Sequence, residues 1–405
     1  MQSTLSVVLP AFNEEGSIAS IIERTLAARA AVCTQANLAA VQVIVVSDGS
    51  SDRTAKIAAG YPEVTTIEYR KNRGYGAAIM TGFKQATGDL LAFLDADGTC
   101  DPLFLGTLCQ RLQEQRADIA LGSRLGSDSE MPAIRRLGNR VYAALLKLWG
   151  AREVTDSASG MRVIRRSALE RILPLPDGMA FTPAMSSIAL FDPKLSIIEV
   201  PMRYAERTGE SKLHVLRDGV RFLRIIVDTA LSYRPLRFFG TSGLGLLAVA
   251  LAFGAYPVAY YLGHRRIEDW MFYRLSAVAV ALLSGMHLLL IGLLAQQAVS
   301  IIHEDFDTPG RVRQFLEHFL RERLQLWGVV SLVAGVALNF SSLVSYFTTG
   351  QVFAHWIYVV VGGLLVTFGI ECISFSVLAR VLNVLTFRKR YALEQSSHPI
   401  PRPGA

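Results

Sequence analysis

The chain has 405 residues, of which 51% are hydrophobic and 19% charged, against about 25% charged in a soluble globule. The charges are uneven: residues 1–235 hold 28 Lys/Arg and 25 Asp/Glu, whereas residues 236–405 hold 13 and 9. That split excludes a plain soluble enzyme, a secreted disulfide scaffold and a disordered chain, and predicts a water-soluble N-terminal domain followed by a membrane region.

Taken in chain order, LSVVLPAF (5–12) predicts a strand and 15–31 a helix. VQVIVVSDGS (41–50) predicts a second strand that ends in a turn, with a helix from about 53 capped by Asp52. VTTIEYR (64–70) is a third strand, and RGYGAAIMTGFKQA (73–86) a Gly-rich turn opening into a helix. DLLAFLDAD (89–97) is a fourth strand, apolar until its last residues. Alternating strands and helices with continuous apolar strands predict an α/β domain whose parallel sheet is covered on both faces. Ligands bind at the carboxyl ends of such strands, where Asn13, Asp48, Asp95 and Asp97 fall.

In KLHVLRDGVRFLRIIVDTALSYRP (212–235), Leu213, Leu216, Val220, Leu223, Val227 and Leu231 recur at helical steps, with Arg217, Arg221 and Arg224 on another face. This is the pattern of a helix lying in the membrane interface, or of an amphipathic helix packed on a core. RRLGNRVYAALLKLWGA (135–151) has the same character. Four later stretches, about 238–262, 274–302, 326–348 and 355–383, are long and apolar enough to cross a bilayer, which takes about 20 helical residues. Between them, 303–324 carries four Arg and reads as a cytosolic connection with a short amphipathic helix. Glu371 is the single acid of the last stretch. It either functions, paired with His287 or lining a path for a lipid headgroup, or is a protonated interhelix hydrogen-bonding group.

Basic clusters flank the apolar region: Arg217, Arg221, Arg224, Arg234 and Arg237 before it, Arg388, Lys389 and Arg390 after it. This is positive-inside patterning and favours a bilayer over nucleic acid as the partner of the net charge of +7. It places both termini and the 303–324 connection in the cytosol, at the cell's inner membrane. MQSTLSVVLPAF has no basic n-region or apolar h-region and is not expected to act as a signal peptide. Cys33, Cys100, Cys109 and Cys372 form no CxxC pair and read as structural thiols of a reducing compartment. The expected layout is a catalytic domain over 1–211, an interfacial helix over 212–235, a four-helix membrane domain over 236–385 and a cytosolic tail over 386–405.

Two carboxylates two residues apart at a strand end, Asp95 and Asp97, suit a divalent cation shared with a phosphate partner; a helix cap and a solvated turn acid are the plainer reading. Asp48 either hydrogen-bonds a base or ribose, or caps its own turn. NRGYGAAI (72–79) is a poor dinucleotide fingerprint, with Ile79 where a third small residue belongs. No lysine follows a glycine, so there is no P-loop.

Together VVLPAFNEE (7–15), VIVVSDGSSDRT (43–54), NRGYGAAI (72–79), LDAD (94–97) and LGSR (121–124) resemble, in order and spacing, the family 2 inverting glycosyltransferases of the GT-A fold. TDSASGMRVIRRSALE (155–170) and YAERTGESKLHVL (204–216) are similar to the subgroup that glycosylates polyprenyl phosphates, the dolichyl-phosphate mannose synthase type. The resemblance covers about 1–230 and only the general architecture beyond it. It implies a Rossmann-like catalytic domain with a mostly parallel sheet, plus an all-α membrane domain. It further implies that Pro10, Phe12, Glu14, Ser47, Asp48, Asp95, Ala96 and Arg124 bind the nucleotide-sugar, and that Asp95 and Asp97 hold Mg²⁺ or Mn²⁺. Arg207, Ser211 and Lys212 match the family's phosphate-gripping pattern, with Arg135 and Arg136 as further acceptor-phosphate contacts or a lipid-facing patch. The expected catalytic set is Asp97, Asp156, Arg207 and Lys212. Two positions depart from the family: Ser47-Asp48 replaces a pair of acids, and Thr99 stands where relatives often carry Gln.

The implied reaction moves one sugar from a UDP- or GDP-linked donor to a polyprenyl phosphate, with homo-oligomers accommodated by the membrane helices. An acceptor phosphate, with a second pKa of about 6, is already an anionic nucleophile, so what it needs is a cationic cradle more than a base. Asp156 then either orients acceptor or sugar, acts as base, or holds the Ser-Gly loop beside it. The competing expectations are transfer to a neutral lipid hydroxyl, which needs a real base, and a non-catalytic subunit of a lipid-glycan transporter. A Q-x-x-R-W motif, the mark of processive synthases, is absent.

Overall fold

A computed structural model describes residues 2–125, 133–149, 154–203, 215–302, 323–352 and 354–397. The chain forms two compact units, Met1–Leu231 and Ser232–Ala405.

The first unit is built on a seven-stranded sheet in the order β3-β2-β1-β4-β6-β5-β7. Its strands are β1 (Thr4–Ala11), β2 (Ala40–Ser47), β3 (Val64–Glu68), β4 (Leu90–Leu94), β5 (Ile119–Ser123), β6 (Met161–Arg165) and β7 (Ile197–Pro201). The helices between them are α1 (Ile18–Ala36), α2 (Thr54–Ala59), α3 (Tyr75–Gln85), α4 (Phe104–Glu114), α5 (Ala133–Leu148), α6 (Arg166–Ile172) and α7 (Phe181–Phe191), followed by α8 (Val215–Tyr233). β1 pairs in parallel with β2 and β4. β6 alone runs antiparallel, wedged between β4 and β5.

Alternate residues of each strand face opposite sides, so a strand buried on both faces feeds two cores. Leu5, Val7 and Leu9 of β1 join Val43 and Val45 of β2 and Ala92 and Leu94 of β4 beneath α1 and α4. Val8, Ile44, Val46, Leu91 and Phe93 point the other way, beneath α3, α6 and α7. All five residues of β4 are buried, which explains its unbroken LLAFL run. The sheet is mostly parallel, and the antiparallel β6 is the element that apolar runs do not announce: MRVIR carries two arginines. Arg162 is nonetheless fully buried.

The second unit contains four helices long and apolar enough to cross a membrane. They are α9 (Pro235–His264), α10 (Phe272–Ile302), α11 (Leu324–Thr349) and α12 (Trp356–Ser397). α12 runs past the apolar stretch through the Arg388–Arg390 cluster. Small residues let the helices approach closely, as is usual between membrane helices. A Cβ on Gly243 of α9 would lie 2.7 Å from the carbonyl oxygen of Gly285 on α10. Polar contacts add to the packing: His287 Nδ1 lies 3.3 Å from Glu371 Oε1, joining α10 to α12, and Gln297 donates to Asn383 at 2.6 Å. The segment 303–322, read as a cytosolic connection, lies outside the described residues.

Candidate active site

The carboxyl ends of β1, β2 and β4 open onto one cleft of about 390 Å³. Pro10, Phe12, Glu14, Asp48, Asp95, Ala96, Asp97 and Arg124 all line it. Ser47 does not: it is fully buried and its hydroxyl bonds Ser50 Oγ at 3.0 Å. Tyr75, Met179, Arg221 and Phe222 also line the cleft, and no sequence motif marks them as site residues. Arg207, Ser211 and Lys212 lie outside the described residues, as does the side chain of Arg135; Arg136 is on α5.

Asp48 directs its carboxylate into the loop that precedes α3. Its two oxygens accept the backbone N–H groups of Arg73 at 2.7 Å and Gly74 at 2.8 Å. Gly74 has φ +108°, and a Cβ there would lie 2.5 Å from the carbonyl oxygen of Asp177, so only glycine lets this loop pass. The Gly-rich stretch is therefore a turn clamped by Asp48, which brings the next residue, Tyr75, into the site.

Tyr75 donates its hydroxyl to Asp95 Oδ1 at 2.6 Å. Burial pushes the phenol well above its ordinary 10.0, with the Asp95 charge adding to it, so it remains a donor at any working pH. On the far side of Asp95, a Cβ at Gly160 would sit 1.8 Å from Oδ2; the absent side chain is the space the carboxylate occupies. Asp97 Oδ1 accepts both the N–H of Thr99 at 3.1 Å and its hydroxyl at 2.7 Å. Thr99 thus orients a carboxylate. Asp95 and Asp97 are two oriented carboxylates, and among the described residues no group of three or more His, Cys, Asp or Glu is placed to hold a metal. A two-carboxylate site fits Mg²⁺ or Mn²⁺, which leaves its other positions to water and substrate phosphate.

Arg124, after β5, is held by Asp156. Its backbone N–H, Nε and Nη2 reach the carboxylate at 2.9, 2.8 and 2.7 Å. Asn139 of α5 donates to Asp156 Oδ1 at 3.1 Å, and Glu199 of β7 accepts the Asp156 N–H at 3.0 Å. Asp156 is fully buried. Burial alone would raise its carboxyl, but the Arg124 guanidinium outweighs this and holds it below its ordinary 3.8. The bonds of its carboxylate therefore go to Arg124 and Asn139, not to the neighbouring Ser-Gly loop. That loop is held from below by Arg162, which donates to the carbonyl oxygens of Ser159 at 3.1 Å and Ser157 at 2.7 Å. Burial pushes the Arg162 guanidinium down to about 10, and it remains a cation at neutral pH beneath Tyr75 and Asp95.

A family model described as glycosyl transferase family 2 matches residues 6–173, the span that contributes β1 through β6. The undecaprenyl-phosphate 4-deoxy-4-formamido-L-arabinose transferase of Photorhabdus laumondii is 33% identical over 247 residues, covering 59% of this chain and 71% of that protein. The chain belongs to glycosyltransferase family 2. The family 2 enzyme is also similar to the low-salt glycan biosynthesis hexosyltransferase Agl6 of Haloferax volcanii, 36% identical over 263 residues, or 63% of this chain and 61% of that one. Among solved structures, a glucosyl-3-phosphoglycerate synthase from Mycobacterium tuberculosis aligns with 57% of this chain and 78% of its own, at 24% identity and a TM-score of 0.42. Residues 235–393, which hold the four apolar helices, match a domain of unknown function, DUF8752.

Proposed function

We propose that this family 2 glycosyltransferase moves one sugar from a UDP- or GDP-linked donor to a polyprenyl phosphate at the cytosolic face of the membrane, with inversion. The observation that carries the reading is one cleft lined by Asp95, Asp97 and Arg124, the last fixed by a buried carboxylate. The name of the Photorhabdus laumondii relative supports a polyprenyl phosphate as acceptor.

In this reading Pro10, Phe12 and Glu14 border the nucleotide, and Asp48 acts through the 73–74 loop that it clamps. Asp95 and Asp97 hold the Mg²⁺ or Mn²⁺, which when bound neutralises charge on the leaving diphosphate. Tyr75 and Thr99 keep the two carboxylates aimed, so little reorganisation accompanies bond cleavage. Arg124 meets phosphate charge, and its bidentate hold on Asp156 keeps its plane constant. A phosphate oxygen of the acceptor attacks the anomeric carbon, and the nucleoside diphosphate leaves from the opposite face. The acceptor arrives ionised, so no protein base has to remove a proton. A neutral lipid hydroxyl would require one, and Asp156, buried and bonded to Arg124, is badly placed for that task. Arg207, Ser211 and Lys212, with Arg135 and Arg136, complete the acceptor-phosphate cradle in this scheme. Four spans keep the catalytic unit and both termini on the cytosolic side.

The test is a glycolipid assay on the purified full chain with Mg²⁺ or Mn²⁺, undecaprenyl or dolichyl phosphate and a panel of labelled UDP- and GDP-sugars. The expected product is a labelled, mild-acid-labile lipid that disappears with Asp97→Asn and with EDTA. No product from any donor, despite nucleotide binding, would overturn the catalytic reading and favour a transport subunit, whereas transfer unaffected by Asp97→Asn would remove Asp97 from the catalytic set. Product formed only on a neutral lipid would overturn the acceptor.

A further inference from the structure

The cleft has a wall that the family motifs do not supply. Arg221 and Phe222, from α8, line it together with Asp95, Asp97 and Arg124. Phe222 is 6% exposed and meets Tyr142 of α5 edge to face, with ring centroids 6.4 Å apart. Tyr142 donates its hydroxyl to the carbonyl oxygen of Gly219 at 2.7 Å. α8 is thereby fastened to α5, the helix whose Asn139 holds Asp156, so the position of α8 and the aim of Arg124 share one support.

The opposite side of α8 presents exposed apolar side chains. Val220 is 69% exposed, and Leu223 is exposed beside it, as are Leu137 and Val141 of α5. α8 ends at Tyr233 and the first membrane-length helix begins at Pro235. In the reading above α8 is the interfacial helix, its exposed apolar side chains at headgroup depth.

Two phosphate-bearing substrates must be met by cations. Arg124, given to phosphate in the reading above, is one such cation, its guanidinium held by the buried Asp156 through a bidentate pair. Arg221 is not committed in this way: among the described residues it makes one ion pair, to Asp218 Oδ1 at 3.4 Å, one turn away on its own helix, and its side chain is 44% exposed. Such a pair contributes little to stability, and it leaves the rest of a five-donor guanidinium to receive an anion.

We infer that Arg221 is a binding residue for the phosphate of the lipid acceptor, carried into the cleft by the interfacial helix α8. This rests on the acceptor reading above. Asp218 holds the side chain in place while the cleft is empty, and the acceptor phosphate takes the guanidinium over when it arrives. The specificity consequence is that recognition of a lipid-borne phosphate is built into the helix that rests on the membrane.

The experiment uses the full-length protein, undecaprenyl phosphate in phospholipid vesicles and whichever nucleotide-sugar supports transfer. Arg221→Gln is expected to raise the KM for undecaprenyl phosphate at least about tenfold, the scale of one charge-assisted hydrogen bond. The KM for the nucleotide-sugar, and the slow hydrolysis of that donor by water, stay within about twofold of wild type. Arg221→Lys, which keeps the charge and loses the fork, falls between. An unchanged acceptor KM in Arg221→Gln overturns the assignment, and so does a donor KM that rises in parallel, which would place Arg221 on the diphosphate. If wild-type protein hydrolyses donor but glycosylates no polyprenyl phosphate, the acceptor reading itself is wrong, and the role of Arg221 falls with it.

Discussion

Asp156→Asn is the substitution that separates a holding carboxylate from a catalytic base. The change keeps shape and removes charge. Arg124, whose side chain is 16% exposed, would then sit in the cleft wall without its counter-ion. Arg124 donates to both carboxylate oxygens, so the asparagine amide N–H₂ would face an Arg124 donor in either orientation, and the Asn139 donor as well in one of them. Breaking one side of a buried pair costs about 3–5 kcal/mol. At about 2–4 °C per kcal/mol for a domain of this size, Tm should fall by about 6–20 °C. Turnover should fall as well, by about 10- to 100-fold, because a guanidinium displaced by about an ångström loses its alignment. The assay pairs thermal unfolding of the purified full chain with glycosyl-transfer kinetics across pH. Arg124→Gln combined with Asp156→Asn should cost clearly less than the sum of the two single changes, since the second removes a partner already lost. The reasoning is refuted if Asp156→Asn leaves Tm unchanged while turnover falls steeply and the residual activity loses the acidic limb of its pH–rate profile. That combination is the signature of a base.

Four further expectations come from the same geometry. Gly160→Ala puts a methyl where Asp95 Oδ2 now lies, 1.8 Å away; transfer should drop at least about tenfold and metal titration should show weakened binding. Tyr75→Phe deletes the donor to Asp95 without opening a cavity; at about 1.5–3 kcal/mol for a hydrogen bond to a charged group, half-maximal activity should need at least about ten times more Mg²⁺ or Mn²⁺. The Asp156 carboxyl is held below its ordinary 3.8 in the folded state, so its pair with Arg124 stabilises fully above that value and progressively less as pH falls through the folded-state pKa; the Tm gap between wild type and Asp156→Asn should narrow below about pH 4. Burial pushes the Cys100 and Cys109 thiols up to about 12, and iodoacetamide at pH 8 should leave both unmodified until the protein is unfolded, as peptide mass spectrometry would read.

Much of the site is legible locally because a parallel strand buried on both faces must be apolar until it leaves the sheet. LLAFL and VIVV therefore announce β4 and β2, and the first acids after them, Asp95, Asp97 and Asp48, stand at the strand ends that line the cleft. Amphipathic spacing likewise announces α8 and α5, and long apolar stretches announce α9 through α12. What each polar residue does was decided by contacts across the chain. Tyr75 reads as part of a Gly-rich turn, yet it bonds a carboxylate 20 residues away, and Arg124 and Asp156 meet across 32 residues. Arg162 carries no local mark of burial, because an arginine in MRVIR looks like an edge-strand charge until β4 and β5 close on both sides of it. Residue type and period determine which backbone is buried and where it ends. Only the packing of α3, α5 and α8 against those strand ends determines which donor meets which acceptor, since hydrogen bonds between distant residues leave no period in a sequence.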